Sequence, residues 1–368
     1  MKQKTFILFF LITTLTIGCK KVQISPLEEM AQVDLLLKNI SEKPQQLVAP
    51  SNKVTQVTGT QGTVVHVDPN RLETVDGSPL GDTIQIELLE MTNKESLVLN
   101  NAPTVSNGKI LVTGGAYYLN MTSNGKLLRM KQGKGLDVEF LKLTNNEMAL
   151  FLGERDSLGQ LNWVQSKERF TPKSIKGAVK PKLGKKKYVK KTYDRMDALL
   201  SYTEGGKSAV KPIKKEEVTK EEYEAYLKKK AEYEKQQKEI ETQRKTYEAV
   251  ELMNFGWINC DRFWNDPSPK TDIVLNIADK TLTAARIYAV FKDINSILTE
   301  SYWKDRQDSL AFRSLPTDKE LTILALSAKD TTPYIFETTI RTKDQNQIKI
   351  EFTPTTQANV QEKIRRLN

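Results

Sequence analysis

From Val54 onward apolar and polar residues alternate with a period of two. Val65 and Val67 stand against His66, and Ile84, Ile86 and Leu88 stand against polar neighbours, the signature of strands with one buried face. Turn formers punctuate the pattern at Gly62, Asp76-Gly77, Gly81, Asn107-Gly108, Gly114-Gly115 and Asn124-Gly125. Asn124-Gly125, between apolar runs at 117–122 and 127–130, predicts a two-residue hairpin with φ > 0 at both turn positions. Gly114-Gly115 reads as a junction between two strands. Further strands at 138–143, 148–152 and 161–164 make 54–170 an expected N-terminal β-sandwich.

The alternation stops after Thr171. Between 173 and 215 the chain carries fourteen basic residues against three acidic ones, with Gly177, Pro181 and Gly184 interleaved, so 171–215 is expected to be an extended Lys-rich linker or interaction arm. Thr219 to Glu222 then matches a capping box. The following stretch to Thr246 lacks Gly and Pro, so one long charged helix is expected over 216–246. Tyr226, Tyr233, Ile240 and Tyr247 repeat every seven residues, but Lys230, Gln237 and Arg244 occupy the companion seam. A solvated helix with one docked tyrosine stripe fits this better than a two-stranded coil. Apolar strands resume at 250–252, 257–263, 273–277, 285–291, 321–325, 334–339 and 348–352, so 247–368 is expected to be a second β domain. The fold class read from this pattern is mainly β, with two β-sandwich-like domains joined by a basic linker and one long charged α-helix.

The N-terminus changes the picture. Lys2 and Lys4 precede an apolar or hydroxyl run over 5–17 that ends at Gly18-Cys19, which is the layout of a secretory signal and too short to span a bilayer as a lone helix. The segment 15–19 resembles a bacterial lipobox, with Thr16 in place of the commoner Leu. The resemblance implies a signal peptide at 1–18, a diacylglycerol-modified Cys19, and a lipidated N-terminus and tether over 19–53. Lys20-Lys21 follows the cysteine where surface-exported lipoproteins carry acids, which favours the periplasmic face of an outer membrane over the cell surface.

Charge and rare residues then narrow the chemistry. The net charge of +10 over 368 residues is local: without 1–18 it is +8, and 173–215 alone carries +11. Lys182, Lys185, Lys186, Lys187, Lys190 and Lys191 are therefore the candidate contacts for an anionic envelope partner such as lipid head groups, acidic glycan or peptidoglycan. A plain spacer is the alternative. A single His, His66, excludes any site built on two imidazoles, and two Cys exclude a disulfide framework or a thiolate zinc site. No phosphate-cradling glycine loop precedes a helix, and no carboxylate pair is singled out by spacing.

Two segments carry a family resemblance. The order Gly62 to Gly77, 84–90, 97–99, 104–108 and 114–120 with Asn124-Gly125-Lys126-Leu127, together with Phe255-Gly256-Trp257-Ile258-Asn259-Cys260-Asp261-Arg262-Phe263-Trp264, resembles uncharacterised Bacteroidota outer-membrane lipoproteins. Their N-terminal β-sandwich is distantly similar to that of ankyrins and netrin receptors. The resemblance implies an architecture and no activity, and it does not cover the Lys-rich stretch.

Within the second segment, Cys260 invites a nucleophile reading, but no base accompanies it, and a buried structural thiol is the expectation. Trp257, Asn259, Cys260, Asp261, Arg262 and Trp264 are taken as a structural or interface motif. Alternation places Ile258, Cys260, Arg262 and Trp264 on one face, and Trp257, Asn259, Asp261 and Phe263 on the other. Trp163, Trp257, Trp264 and Trp303 are weighed as a sugar-stacking platform against core or domain-interface packing. The expected function is a membrane-anchored, non-catalytic binding or scaffolding lipoprotein of the bacterial envelope. The alternatives are a surface glycan-binding or adhesive lipoprotein and, behind it, a carboxylate hydrolase. No metal, cofactor or nucleic-acid partner is expected.

Overall fold

Strands Gln45–Pro50, Thr83–Met91, Lys109–Ser123, Gly256–Phe263, Met148–Arg155 and Leu161–Phe170 lie side by side in that order and form the spine of a nine-stranded sheet. All five pairings along this spine are antiparallel. A second antiparallel sheet runs Val250–Leu252, Leu136–Glu139, Val64–Val67, Thr55–Thr58. Inward residues of both sheets share one core: Val65, Val67 and Val138 of the second join Ile84, Ile86, Leu88, Tyr117, Leu150, Ile258 and Cys260 of the first. This is the two-layer arrangement that alternating strands require, each sheet burying its apolar face against the other.

The computed structural model describes residues 25–156, 159–173, 220–243, 245–279, 281–305 and 310–368. The chain is mainly β with several sheets, and it divides into two units. The larger unit comprises 41–268, 290–298 and 364–368, and the smaller holds the described residues up to Ile40 with 269–289 and 299–363. In the smaller unit, Lys270–Ile277 pairs antiparallel with Ala311–Pro316 and parallel with Gln347–Ile350. A five-stranded sheet runs Ile297–Trp303, Ala284–Phe291, Glu320–Lys329, Thr332–Arg341, Thr353–Pro354. Helix Pro26–Ile40 lies on the Glu320–Lys329 strand of that sheet and buries Met30, Val33, Leu36, Leu37 and Ile40. Glu29, buried on the same helix, accepts hydrogen bonds from the Thr283 N–H and hydroxyl and from the Ala284 N–H at 2.8 Å.

Several expectations of detail are met. Asn124 (φ 49°) and Gly125 (φ 71°) close a hairpin in which Ser123 faces Lys126. The long charged helix runs over Lys220–Gln243, with Tyr226, Tyr233 and Ile240 half-buried and Tyr223 stacked on Tyr226 at 6.4 Å.

Other boundaries move. Within the segment expected as N-terminus and tether over 19–53, the helical pattern from Leu27 to Ile40 is met by helix Pro26–Ile40, but the 45–50 portion is the edge strand of the large sheet and not tether. An edge strand needs hydrogen bonds on one side only, so Pro50 and the outward Gln46 and Val48 are tolerated there. Gly114 and Gly115 do not join two strands. They sit inside the single strand Lys109–Ser123, opposite a register shift between Asn259 and Asp261. A Cβ on Gly114 would stand 3.1 Å from the Cys260 carbonyl oxygen, and Gly115 has φ +119°, so the bulge needs both glycines.

The largest departure concerns the division at 171–246. Strands Val250–Leu252 and Gly256–Phe263, expected to open a separate C-terminal domain, complete the larger unit, and Gly256–Phe263 lies in the middle of its sheet. The chain on either side of 174–244 is bonded together. Pro172 bridges to Tyr247, the Glu248 N–H donates to the Thr171 carbonyl at 2.8 Å, and Thr246 bridges to Leu141. The residues on both sides of 174–244 thus belong to one unit.

Candidate functional site

Gly256–Phe263 positions the motif singled out in the sequence. Its neighbours on both sides are long strands, so its backbone groups are paired along both edges. Ile258, Asn259, Cys260 and Asp261 are all buried. The expected alternation holds: Ile258 and Cys260 enter the shared core, while Phe263 packs edge-on to Phe151 at 5.5 Å on the opposite face. Trp264 meets Phe291 edge-on at 5.1 Å.

Buried polar groups on the opposite face form a directed chain of hydrogen bonds. The Gly115 N–H donates to the Thr113 hydroxyl at 2.9 Å, and that hydroxyl donates to Asn259 Oδ1 at 2.9 Å. Asn259 Nδ2 then donates to Asp261 Oδ2 at 2.7 Å. Asp261 Oδ1 has no partner, and the residue is 0% exposed. Burial pushes the Asp261 carboxyl up to about 8, only partly opposed by Thr113. Asp261 therefore pairs with Asn259, two residues away on its own strand, and not with Arg262.

Cys260 occupies the core side. Burial, and then the neighbouring Asp261, hold its thiol well above the ordinary range, and a hydrogen bond with Tyr247 opposes them without prevailing. A thiolate is the reactive form, so this cysteine is a packing residue. It is expected to resist aromatic disulfide reagents in the native protein and to react once in denaturant, as read by mass mapping of the peptide that carries it. Modification of the native chain at a rate near that of a free thiol would remove this assignment.

A second cluster gathers where the chain leaves and rejoins the larger unit. Glu139 Oε1 lies 3.1 Å from His66 Nε2, and Glu139 Oε2 accepts from Lys173 and, at 3.1 Å, from Thr246. Gln56 Nε2 stands 3.0 Å from His66 Nδ1, which assigns the ring proton to Nε2 and lets His66 donate to Glu139. Partial burial raises the Glu139 carboxyl, but Lys173, His66 and Thr246 outweigh it and leave the group below its usual value. Lys173 and Thr246 flank the excursion, so one carboxylate ties both of its ends. In the sequence, Glu139 is one of several strand carboxylates, with Glu87, Glu90 and Asp137, that no spacing singles out, and nothing there shows that 66, 139, 173 and 246 converge.

Two of the tryptophans differ in their surroundings. Trp163 is fully buried and its indole N–H donates to the Pro103 carbonyl at 2.6 Å, so it is core. Trp257 is half-buried on the outer face of the large sheet, with its ring 5.0 Å from that of Tyr118 and the Arg155 guanidinium 4.3 Å from its centroid. Cys19 and the six lysines Lys182, Lys185, Lys186, Lys187, Lys190 and Lys191 lie outside the described residues. Comparison with family models, with curated proteins and with solved structures gives no match for this chain.

Proposed function

We propose that the chain is a lipid-anchored, non-catalytic binding or scaffolding component of a bacterial cell envelope, held to the outer membrane through Cys19, with Lys182 to Lys191 contacting an anionic partner. The observation that carries the reading is the rooting of the excursion. Lys173 and Thr246 both bond Glu139, and Pro172 bridges to Tyr247, so the residues that flank 174–244 meet on one β unit. A segment of that charge next to anionic head groups, lipopolysaccharide or acidic glycan gains about 1 kcal/mol per lysine near the surface. The burial of Asn259, Cys260 and Asp261 supports a structural role for the motif with the most chemical potential.

In a Gram-negative host fed a palmitate analogue, the wild-type chain is expected to take up label and enter the detergent phase, and Cys19→Ala is expected to do neither. Replacing Lys185, Lys186 and Lys187 with Gln is expected to cut binding to anionic vesicles by about tenfold or more at low salt, an advantage that vanishes at high salt. An unlabelled wild-type chain removes the anchor, and vesicle binding indifferent to both salt and the three lysines removes the arm.

A further inference from the structure

We infer that the strand Gln45–Pro50, at the edge of the nine-stranded sheet, is a self-association edge on which the same strand of a second copy of this chain docks antiparallel. The inference goes beyond the binding role proposed above and depends on neither the lipid anchor nor the lysines.

The edge is open. Gln45–Pro50 pairs along one side only, with Thr83–Met91, and the pairing runs unbroken from Gln45 opposite Leu88 to Pro50 opposite Thr83. The Ser51 N–H extends it by one step, donating to the Asp82 carbonyl at 3.0 Å. Bonded and non-bonded positions alternate in an antiparallel ladder, so Gln45, Leu47, Ala49 and Ser51 turn their backbone groups into the sheet, while Gln46, Val48 and Pro50 turn theirs away. Pro50 has no N–H and sits where the sheet uses none. Among the described residues, no hydrogen bond engages the backbone N–H or carbonyl of Gln46 or Val48, and both side chains are exposed, Val48 by 60%. The opposite edge of the sheet is guarded. Leu161–Phe170 presents Lys167, Glu168 and Arg169, all exposed, and its pairing with Met148–Arg155 shifts register between Ala149 and Phe151. Gln45–Pro50 has neither charge nor bulge.

The strand is complementary to itself. With a two-fold axis through Leu47, Gln46 of each copy stands opposite Val48 of the other. The outward N–H groups of each strand then meet the outward carbonyls of its mate, and every N–H and carbonyl of Gln46 and Val48 in both copies finds a partner. Pro44 falls opposite Pro50 of the second copy, where neither strand has a donor to leave unpaired. Leu47, half-buried at the rim of the core, meets its own copy at a Cα separation of about 4.5 Å, so the pairing covers apolar surface that the single chain leaves partly in water. Because 45–50 carries no charge, identical strands meet without repulsion across the axis. This match of donors, acceptors and prolines selects a second copy over an unrelated strand. The contact is short, so the dimer is expected to form and dissociate with concentration.

The test is sedimentation velocity of the full chain in density-matched detergent across a dilution series at low salt. Wild type is expected to pass from monomer to dimer as concentration rises. Val48→Pro deletes an outward N–H and none that the sheet uses, so it is expected to lose the dimer with an unfolding transition close to that of wild type. Gln46→Lys combined with Val48→Lys sets like charges opposite one another and is expected to weaken the dimer at least about tenfold. Gln46→Lys combined with Val48→Glu sets opposite charges there and is expected to keep it. Both charge variants lie at exposed positions, so they decide the matter if Val48→Pro shifts the unfolding transition. A wild-type chain that is monomeric at every concentration overturns the second copy as occupant and leaves the edge to a strand of another protein. A dimer kept by both Val48→Pro and the double-lysine variant places the contact elsewhere and overturns the edge. A dimer lost equally in the two charge variants overturns the pairing of Gln46 with Val48. The lipid anchor and the lysines are read by the palmitate and vesicle assays, so their failure is distinguishable from failure here.

Discussion

Asp261→Asn is expected to stabilise the larger β unit by on the order of 5 kcal/mol at pH 8, with the gain shrinking to nothing near pH 4. The carboxyl is 0% exposed and its folded-state value is pushed from 3.8 up to about 8, chiefly by burial. Between those two values the unfolded chain has released a proton that the folded chain still holds. Stability linked to Asp261 is therefore full below about pH 4 and is lost progressively as pH rises toward 8. Asn cannot ionise, and its amide oxygen can accept the same hydrogen bond from Asn259 Nδ2 that Asp261 Oδ2 accepts at 2.7 Å. Its amide nitrogen takes the place of Oδ1, which has no partner in the native chain either. The two side chains are thus nearly equivalent at acid pH and diverge as the native one is forced to ionise. Chemical denaturation of both chains at several pH values, followed by the emission of Trp163, Trp257 and Trp264, reads the difference. Parallel stability curves for wild type and variant from pH 4 to 8 would falsify the placement of a protonated acid at this position.

The same strand shows how far the sequence was legible. Its existence, its limits and the face assignment of Cys260 follow from alternation, because the period of two is a local property. Its neighbours do not follow. A polar and charged stretch between Thr171 and Thr246 suggests a boundary between domains, yet closing a longer loop costs only slightly more than closing a short one. The chain can therefore return to the sheet it left, and pairing between Leu150 and Cys260, or between Asn259 and Ala116, has no local mark. The burial of Asn259 and Asp261 was hidden for a related reason. Polar residues alternating with Ile258 and Cys260 look like a solvated face, and only the Thr113 hydroxyl, brought in from a distant strand, makes their burial possible.

Edges and turns divide in the same way. The Asn124-Gly125 hairpin was readable because two residues with φ > 0 specify a turn by themselves. Gln45–Pro50 was not, since an edge strand with one paired side tolerates the proline and polar content of a tether. The tryptophans were indistinguishable in the sequence. What separates Trp163 from Trp257 is the company of Pro103 on one side and of Tyr118 and Arg155 on the other.

In the smaller unit, Asp34→Ala is expected to cost about 3 kcal/mol, whereas Arg286→Met is expected to cost nothing measurable or to stabilise by about 1 kcal/mol. Arg286 lies on the Ala284–Phe291 strand with its side chain 1% exposed, and its Nη2 donates to Asp34 Oδ1 at 2.6 Å. Its Nε and Nη1 have no partner. Asp34, on helix Pro26–Ile40, is 49% exposed, so the two members of the pair are desolvated very unequally. Removing Asp34 leaves a guanidinium out of water with no counter-charge, and the loss is large because that desolvation is no longer offset. Removing Arg286 returns a carboxylate to solvent, where it is stable alone, and Met fills the vacated length with an adaptable apolar chain. The double variant is expected to unfold close to the wild type, since the helix retains Met30, Val33, Leu36, Leu37 and Ile40 as buried contacts and Glu29 as an anchor to Thr283 and Ala284. Trp303 belongs to this unit and the other three tryptophans to the larger one, so denaturation of a chain in which Trp303 alone is retained reports the transition of interest. If Arg286→Met proves as damaging as Asp34→Ala, the guanidinium is held by more than Asp34 and the asymmetry argued here is wrong. If Asp34→Ala costs less than about 1 kcal/mol, the pair behaves as a surface salt bridge despite the burial of its cation.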